Sequence, residues 1–552
     1  MTAARDTAEL RKARGAFFTP RALASYVTEW AVRYPADQVL EPSCGEAAFL
    51  LCAGRRLADL GAIGAVLHGH ERHAPSAATA VNHLRSAGYE VEVEVGDFFA
   101  VPPVERYDAV IGNPPYVRYQ DFSGASRALS REAALRAGVR LTNLASSWAA
   151  FTVHAALFLK PGGRLGLVLP AELLSVNYAA EIRSFLMRRF GCVRLVVFKE
   201  RVFPGVLEEV VLLLAEGVGG TDHMELLQVN DVAGLSETVE LTAVTRWKPR
   251  PAEAKWTQAL LPRPTLQALA RLGDHEGVAT LQTWGETTLG AVTGNNSFFA
   301  VRPSKAQELG LQNDDLLRLS PPGSRHLRGL AFTLYAWRAM AAADERVWLF
   351  RPESNDLSPA ADAYRITGEL TDVDKAYKCR VRRPWWRVPV VPPADLMLTY
   401  MNADTPRLTT NAARTYHLNS VHGVYLNDRH RDLGRSLLPL ASLNTLTLLG
   451  AETVGRAYGG GMLKLEPREA DLLPVPSPAL VEASRQPLMA LRPRVAAALA
   501  QGRLIDAARM VDRILLVEGL GLSLQSVKAL GDGHAGLTAR RVARSKAAGC
   551  GR

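Results

Sequence analysis

The sequence has few cysteines, no long apolar run and no leader-like N-terminus. Its five cysteines are scattered and form no CxxC pair, so the sequence predicts neither a zinc ribbon nor a disulfide framework. Residues 1–15 mix charges of both signs and lack the apolar segment of a signal peptide. The longest apolar runs, such as Val210 to Ala215, are far shorter than a membrane span. We therefore expect reduced thiols, a cytoplasmic location and no membrane partner.

The histidines do not form a predicted ligand set. His68, His70 and His73 lie close to Glu71 in sequence, but they are spread over a predicted strand-to-helix turn. Zinc ligands must converge on one point, and this spacing does not bring three imidazoles together. The sequence therefore predicts no metal site.

Positive charge, by contrast, is abundant. The formal net charge is +10, from 65 Lys and Arg against 55 Asp and Glu. Such a surplus favours a polyanionic partner such as nucleic acid, although a generally basic surface gives the same value. Apolar residues make up 48% of the 552 residues, which is enough for the cores of several domains.

Residues 15–216 alternate short apolar runs with helix-like stretches. This alternation predicts an α/β fold with a doubly wound, mostly parallel sheet. The predicted strands are Val39–Leu40, Ala65–Leu67, Val91–Val95, Ala109–Ile111, Leu165–Leu169, Leu195–Phe198 and Val210–Leu214. The predicted helices are Ala22–Tyr34, Glu46–Leu60, Ala74–Ser86, Ser146–Leu159 and Ala179–Phe190.

The alternation stops near residue 225, which predicts a first domain over residues 1–225. Residues 226–255 are predicted as a linker, and residues 256–480 as an irregular α+β domain. Helical periodicity returns over 481–530, so residues 481–552 are predicted as a helical segment with a mobile basic tail. The basic residues of that tail are Arg540, Arg541, Arg544 and Lys546.

The strongest chemical signal is Asn113-Pro-Pro-Tyr116, which directly follows a predicted strand and Gly112. Ligand sites in open α/β sheets lie at the carboxyl ends of strands. The two prolines stiffen the segment and remove donors, which leaves carbonyl groups free to accept hydrogen bonds. A simple tight turn would have the same residues, so the other strand ends decide the interpretation.

This segment suits group transfer to an amino nitrogen on an aromatic base. The lone pair of that nitrogen is delocalised into the ring, which makes it a poor nucleophile. The Asn113 side-chain oxygen and the Pro114 carbonyl would accept its two N–H groups and orient the lone pair toward a methyl donor. Tyr116 would stack on the base, which must leave the duplex to be reached.

Earlier strand ends carry groups suited to a nucleotide-like cofactor. In the turn from Glu41 to Gly45, the glycine permits close backbone approach and the carboxylate can meet a positive charge. Glu71 lies 26 residues after Gly45, near the spacing of a ribose-binding acid. Asp97 and Phe98 end the next strand and suit an adenine ring. Each feature is ordinary alone, and their order along the chain is the informative observation.

This order resembles the gamma class of N6-adenine DNA methyltransferases, in which cofactor motifs come first, the catalytic loop next and a target-recognition domain last. The resemblance covers the first 215 residues. It includes Arg14-Gly-Ala-Phe-Phe-Thr-Pro20, which is similar to the family's N-terminal cofactor motif, and Lys160-Pro-Gly-Gly163 and Val168-Leu-Pro-Ala171, which are similar to its later framework. It implies a Rossmann-like class I methyltransferase domain that binds S-adenosylmethionine.

The resemblance also implies residue roles. The implied catalytic residues are Asn113, Pro114 and Tyr116. The implied partner of Tyr116 on the flipped base is Phe203, in Val202-Phe-Pro204. The implied cofactor contacts are Phe18, Thr19, Pro20, Glu41, Pro42, Gly45, Glu71, Asp97 and Phe98. The family often has a second glycine two residues after Gly45, where this chain has Ala47, which leaves the path of the turn open.

The implied substrate is double-stranded DNA, methylated at N6 of adenine in a restriction-modification or defence system. A nucleoid-associated location and a separate cognate restriction endonuclease would accompany that role. In the second domain, Lys375–Arg387 interleaves six cations with aromatic residues, which suits phosphate contacts but also suits a solvated basic face. The DNA contacts predicted there are Lys378, Arg380, Arg382, Arg383 and Arg387. Thr293–Phe299 and Arg456–Gly461 resemble Gly-rich segments of recognition domains.

Several alternatives share part of this pattern. Enzymes that methylate a glutamine amide in release factors use the same Asn-Pro-Pro-Tyr loop, and close variants serve enzymes that methylate guanine N2 in ribosomal RNA. The Phe-Phe-Thr-Pro segment and more than 300 residues after the catalytic domain argue against both. N4-cytosine methylation stays open, although that family more often has Ser in place of Asn113. A fused nuclease would precede the cofactor motif, which begins at Arg14, and an intact loop argues against a non-catalytic DNA-binding protein.

Overall fold

The computed structural model describes residues 19–200, 202, 209–235, 244–249 and 255–549. Tertiary contacts divide the chain into two units, Met1–Leu260 and Leu261–Arg552. Each unit contains its own hydrophobic core.

A nine-stranded sheet forms the centre of the first unit. Its strands are β1 Val39–Glu41, β2 Val66–Glu71, β3 Glu90–Val95, β4 Tyr107–Gly112, β5 Leu159–Pro170, β6 Cys192–Phe198, β7 Val210–Glu216, β8 Met224–Val229 and β9 Thr245–Trp247. They lie side by side in the order β3-β2-β1-β4-β5-β7-β6-β8-β9.

Strands β1 to β5 run parallel to one another, whereas β7 is antiparallel to both β5 and β6. The chain leaves β1 toward β2 and β3, then returns to place β4 on the other side of β1. Ligand clefts open at such reversal points, outside the carboxyl ends of the strands. The predicted doubly wound sheet is therefore confirmed, and the reversal point, where a ligand cleft is expected, lies at the ends of β1 and β4.

Helices cover this sheet. They are α1 Arg21–Ala31, α2 Ala48–Asp59, α3 Ala74–Ser86, α4 Gly124–Arg136, α5 Ser147–Ala156 and α6 Ala180–Arg189. Shorter helical turns are Phe98–Ala100, Glu172–Ser175, Asn177–Ala179, Ala233–Leu235 and Thr257–Leu260. Helix α5 is buried along its whole length, as expected for a helix that is apolar on every side. Helix α2 is amphipathic and buries one face.

The sheet extends further along the chain than the sequence predicts. Strand β8 pairs in parallel with β6, and β9 pairs antiparallel with β8, although residues 226–255 are predicted as a linker. Short strands at the side of a sheet are stabilised by pairing with a neighbouring strand. Because no α-helix lies between β7 and β9 in the described residues, no strand–helix alternation indicates β8 and β9 in the sequence. The first unit ends at Leu260 and therefore includes β8 and β9.

The second unit is an irregular α+β structure, as predicted. Its strands are β10 Val278–Thr280, β11 Gly285–Leu289, β12 Ala300–Val301, β13 Leu316–Arg318, β14 Trp348–Phe350, β15 Leu396–Thr399, β16 Met401–Asn402, β17 Leu408–Thr410, β18 Val421–Leu426, β19 Arg456–Tyr458, β20 Met462–Lys464 and β21 Pro474–Pro476. They form small sheets in the orders β11-β18-β15-β17, β12-β14-β13, β16-β20-β19 and β10-β21.

Its helices of at least eight residues are α7 Arg263–Leu272, α8 Leu334–Ala342, α9 Pro359–Leu370, α10 Arg431–Ala441, α11 Thr445–Val454, α12 Arg485–Ala500, α13 Leu504–Asp512 and α14 Leu524–Gly549. A π-helical segment, Arg513–Gly519, follows α13. Shorter helical segments are Leu281–Trp284, Asn296–Phe299, Pro303–Glu308, Asn313–Asp315, Tyr377–Arg380, Asp428–His430, Gly459–Gly461, Pro467–Asp471 and Pro478–Ala483.

The prediction of a mobile basic tail is wrong for the described part of that segment. Arg541 lies in α14 with only 4% of its surface exposed. Its guanidinium donates to the Glu452 carboxylate, with an Nη2–Oε1 distance of 2.7 Å, and to the Gly461 carbonyl. A run of basic residues has the same sequence whether its side chains are solvated or form internal ion pairs. The sequence alone therefore does not distinguish a mobile tail from a packed helix.

Candidate active site

The catalytic loop predicted from the sequence lies at the carboxyl end of β4. The Asn113 side-chain nitrogen donates to Thr19 Oγ1 at 3.2 Å. The Tyr116 hydroxyl lies 2.7 Å from Asn113 Oδ1 and 2.9 Å from the Val168 carbonyl, and its proton is shared between these acceptors. These bonds fix the amide plane of Asn113 from both of its polar atoms.

A second set of bonds holds the loop from the side of α5. The Ser147 hydroxyl donates to the Pro115 carbonyl at 2.5 Å and accepts from the Val117 amide at 2.9 Å. The preceding carbonyl, that of Pro114, accepts no hydrogen bond from the part of the chain that the structure describes. The Asn113 side-chain oxygen and the Pro114 carbonyl therefore sit on a braced loop, as a pair of acceptors.

The cofactor turn is held to the next strand by a carboxylate. Glu71, at the end of β2, accepts from the Gly45 amide at 2.9 Å with Oε2 and from the His73 amide at 2.7 Å with Oε1. Gly45 has a φ of +52°, and a Cβ built on it would meet no atom within 4 Å. The turn is thus left-handed at Gly45, with open space beside it.

Ala47 stands where the resembled family often has a second glycine, and its backbone has the conformation that a glycine would adopt. Ala47 has a φ of 72° and precedes the first residue of α2, so the helix begins at Ala48 and not at Glu46. Only glycine adopts this conformation without steric cost. The turn keeps its left-handed path although the second glycine is absent.

Glu41, which is predicted to contact the cofactor, is buried in this structure. It is 2% exposed, and its Oε2 accepts from the Leu50 amide in α2 at 3.0 Å. Burial raises the pKa of Glu41 well above its usual value, which disfavours the free carboxylate that a positively charged ligand would need. Pro42 is buried beside Gly112, so the turn and the strand before the catalytic loop are packed together.

Asp97 and Phe98 differ in what they offer a ligand. Asp97 is half-buried at the end of β3, whereas Phe98 is 5% exposed. The Phe98 ring packs inward against Phe151 and His154, at centroid distances of 5.1 and 4.7 Å. The expectation of Phe98 as an adenine contact is therefore not supported in this conformation, because the sequence does not say toward which side the ring turns.

The described residues thus bring Thr19, Gly45, Glu71, Asp97 and Asn113 to the carboxyl ends of neighbouring strands. Pro20 lies at the start of α1, directly after Thr19. Phe18 and Phe203 lie outside the described residues, so their roles stay predictions. Sequence reasoning did not single out the loop anchor Ser147, and a serine at the start of a helix is too common to mark it.

The clustered histidines have separate partners. His68 and His70 lie on β2 opposite Glu92 and Glu94 of β3, each at 3.3 Å, and burial lowers the pKa of both histidines. His73 instead lies 2.9 Å from Ser76 Oγ. Among the described residues, no group of three or more His, Cys, Asp or Glu side chains is arranged to hold a metal ion.

The basic stretch of the second unit is only partly available to a ligand. Lys378, Arg380 and Arg383 are exposed. Arg382 is 9% exposed and donates to the Val292 carbonyl, so this structure does not present it at the surface as it does the other three. Arg387 is half-buried, with its guanidinium 5.0 Å from the centre of the Trp386 ring. Alternation of exposed and buried cations reflects local packing that charge counting does not reveal.

The two Gly-rich segments also differ. Phe298 and Phe299 of the first are buried in a core cluster, whereas Gly294, Asn296 and Ser297 are exposed. The second joins β19 to β20 and carries Tyr458, which is 57% exposed. The Lys464 ammonium lies 5.3 Å from the centre of the Tyr458 ring. The hairpin β19–β20 therefore presents an exposed aromatic ring, whereas the phenylalanine rings of the first segment are buried.

In the described ranges, no single helix is long and apolar enough to span a membrane. One sharply bent pair of helices, Asp428–Ala441 with Thr445–Val454, together has the length and apolar composition of a membrane span. Both helices contribute to the buried core of the second unit. The described cysteines, Cys44, Cys52, Cys192 and Cys379, are unpaired thiols.

Known proteins match both units. Residues 4–218 match the N-6 DNA Methylase family, and residues 253–516 match the C-terminal domain of the type II methyltransferase M.Eco57I. The type II methyltransferase M.XamI of Xanthomonas campestris pv. amaranthicola is 27% identical over 84% of this chain and 85% of its own length. M.AccI of Acinetobacter calcoaceticus is 22% identical over the same shares.

Solved structures give a weaker likeness. The type IIG restriction endonuclease BpuSI has a TM-score of 0.45 and 13% identity, over 97% of this chain and 67% of that one. A putative class I S-adenosylmethionine-dependent methyltransferase from Listeria monocytogenes has a TM-score of 0.35 and 18% identity, over 40% and 68%.

From its two family matches and its relatives, the chain belongs to the DNA methyltransferases of restriction-modification type, with an N-6 DNA methylase domain followed by a C-terminal domain. The family expected from the sequence is thereby confirmed. The first unit has the doubly wound, mostly parallel sheet that the sequence predicts for a class I methyltransferase domain.

Proposed function

We propose that this protein transfers the methyl group of S-adenosylmethionine to N6 of adenine in double-stranded DNA, within a restriction-modification or defence system in the cytoplasm. The observation that carries the proposal is the bonding of Asn113. Thr19 and Tyr116 hold its amide, and the adjacent Pro114 carbonyl accepts no bond from the described residues. Two acceptors on a braced loop suit an amino group with two N–H donors.

The cleft residues fit the proposed cofactor. Glu71 and Asp97 are carboxylates at the ends of adjacent strands, suited to ribose hydroxyls and to an adenine amino group. Gly45 leaves open space beside the turn, and Thr19 connects the N-terminal motif to the catalytic loop. When bound, S-adenosylmethionine supplies a methyl group on a positively charged sulfur.

The protein's own residues would contribute by binding the target base and orienting its amino group. Asn113 and the Pro114 carbonyl accept the two N–H groups of the flipped base, which localises the nitrogen lone pair and points it along one direction. Tyr116 holds the Asn113 oxygen in place and presents its ring to the base, with Phe203 as the predicted second ring. No covalent intermediate with the protein is needed, so Cys44, buried in the turn, has no role as a nucleophile.

DNA would be held by the second unit. Lys378, Arg380 and Arg383 provide exposed cations for phosphates, and hairpin β19–β20 presents an exposed aromatic ring. The net charge of +10 supports such a partner. The relatives are named as type II methyltransferases, which supports a separate cognate restriction endonuclease as a partner in the same system.

The experiment is a transfer assay that identifies the methylated base. Purified protein is incubated with methyl-labelled S-adenosylmethionine and genomic DNA, and the DNA is hydrolysed to nucleosides and analysed by mass spectrometry. We expect label in N6-methyldeoxyadenosine, formed about 10²- to 10³-fold more slowly with Asn113→Ala. Label in N4-methyldeoxycytidine would overturn the base assignment, and label in RNA or protein only would overturn the substrate.

A further inference from the structure

A serine outside the recognised motifs binds the carboxylate at the end of β3. Ser126 Oγ donates to Asp97 Oδ2 at 2.5 Å, and Asp97 Oδ1 accepts from the Phe99 amide at 3.1 Å. Ser126 lies in the first turn of α4, the helix that follows the catalytic loop. Both oxygens of the carboxylate are therefore held, one by backbone and one by a side chain from another element.

We propose that Ser126 is a positioning residue for cofactor binding: its hydroxyl fixes the Asp97 carboxylate in the orientation that accepts the 6-amino group of the cofactor's adenine. This inference rests on the proposed function, because it assumes an adenine-bearing cofactor in the cleft. An ionised carboxylate offers about four acceptor positions, so two internal bonds leave room for a ligand donor.

The surroundings of Ser126 make the contact a rigid one. Helix α4 buries Ser130, Ala133 and Ala134, and Phe122 before it packs 6.4 Å from Phe99, the residue whose amide binds Asp97. Ser126 itself is half-buried. The helix and the turn over 98–100 therefore form one packed piece, and the serine reaches the carboxylate from a fixed place.

Fixing the carboxylate before the ligand arrives removes an ordering cost from binding. Immobilising one such side chain corresponds to roughly a 2- to 10-fold change in dissociation constant. Ser126→Ala should therefore weaken binding of S-adenosylhomocysteine, the demethylated cofactor, by roughly that factor. Ser126→Thr keeps a hydroxyl at the same carbon and should restore most of the affinity.

The experiment is isothermal titration of the full-length protein with S-adenosylhomocysteine and with an analogue that has hydrogen in place of the 6-amino group. Ser123→Ala is the matched control, because Ser123 is exposed at the start of the same helix and its side chain makes no capping bond. We expect Ser126→Ala to weaken binding of the amino compound only, with the analogue bound equally by both proteins.

Each outcome has a distinct meaning. If Ser126→Ala weakens both compounds equally, Ser126 is merely structural and the inference is overturned. If it weakens neither, or tightens binding of the amino compound by vacating an acceptor, the inference is also overturned. If the wild-type protein binds neither compound, the proposed cofactor itself is wrong, which separates failure of the proposed function from failure of this inference.

Discussion

Thr19 Oγ1 accepts a hydrogen bond from the Asn113 side-chain nitrogen at 3.2 Å, although 94 residues separate the two in sequence. The N-terminal motif that contains Thr19 and the loop that begins at Asn113 are therefore in contact, although the sequence shows only that one precedes the other. Because the bond uses the amide nitrogen, it also sets which way the Asn113 oxygen points. The N-terminal motif therefore contributes to the geometry of the catalytic loop as well as to the predicted cofactor site.

Removing the Asn113 amide should affect chemistry far more than cofactor binding. An acceptor aimed at a reacting group acts mainly in the transition state, and losing one such group typically lowers kcat by about 10²- to 10³-fold. We expect that fall for Asn113→Ala, with the dissociation constant of S-adenosylhomocysteine changed less than about 3-fold. Loss of cofactor binding would show that the loop is structural instead.

Tyr116→Phe separates stacking from bracing. The ring stays, but the bonds to Asn113 Oδ1 and the Val168 carbonyl are lost. We expect a loss of stability of about 1 kcal/mol and a fall in kcat of about 10-fold, since the Asn113 oxygen is no longer fixed. Melting curves and single-turnover methyl transfer measure the two effects. An unchanged kcat would mean that Tyr116 contributes by stacking alone.

Ala47→Gly should be close to neutral. Relief of the left-handed conformation gains about 1–2 kcal/mol, while loss of a fully buried methyl group costs about 0.8 kcal/mol and glycine's unfolded-state freedom costs about 0.5–1 kcal/mol. The melting midpoint should therefore move by only a few degrees. Gly45→Ala is the matched comparison, and it should destabilise the turn by about 0.5–1 kcal/mol, because the steric cost of about 1–2 kcal/mol exceeds the gain from lost unfolded-state freedom of about 0.5–1 kcal/mol. Equal effects of the two changes would contradict the turn geometry.

The basic stretch offers a test with an internal control. Each phosphate contact contributes about 0.9 to the slope of log affinity against log salt. The double change Lys378→Gln with Arg380→Gln should flatten that slope by up to about 1.8, because both side chains are exposed. Arg382→Gln, at a buried position, should lower the melting midpoint and leave the slope unchanged. The reverse pattern in fluorescence titrations would remove the stretch from the DNA interface.

We expect the stability of the second unit to depend on pH through Asp512. Burial raises the pKa of Asp512 to about 6, against the lowering effect of its bonds from the Thr445 amide and hydroxyl. A pKa above its unfolded value means that the folded state prefers the proton, so stability from this group is present below about pH 4 and lost as pH rises toward 6.

Asp512→Asn removes that titration. The stability of the wild-type protein relative to Asp512→Asn should fall by up to about 3 kcal/mol between pH 4 and pH 6 and stay constant above. Denaturant unfolding of both proteins at several pH values measures it, and the comparison cancels groups that titrate in both. A difference that does not vary with pH would show that the carboxyl is not perturbed.

The sequence predicts the first unit well because its signals are local. Apolar runs and Gly or Pro punctuation locate β1 to β7, and the motifs lie at strand ends where ligand sites form. What it does not predict depends on partners far along the chain. Strand β8 has its place only beside β6, and exposed Arg380 and buried Arg382 differ only through packing. The inward turn of Phe98 and the bond from Ser126 to Asp97 likewise have no signature in single residues.

The anchoring of the Gly461 carbonyl by Arg541 has a consequence for how the protein is made. On the ribosome, hairpin β19–β20 emerges well before Arg541, which binds its Gly461 carbonyl. Likewise, Thr265 in α7 is synthesised long before Ala529 of α14, whose carbonyl accepts the hydrogen bond of the Thr265 hydroxyl at 2.7 Å. Domains made first generally fold first. The first unit can therefore reach its native state on a nascent chain, while the second unit stays unfinished until Arg541 has been translated.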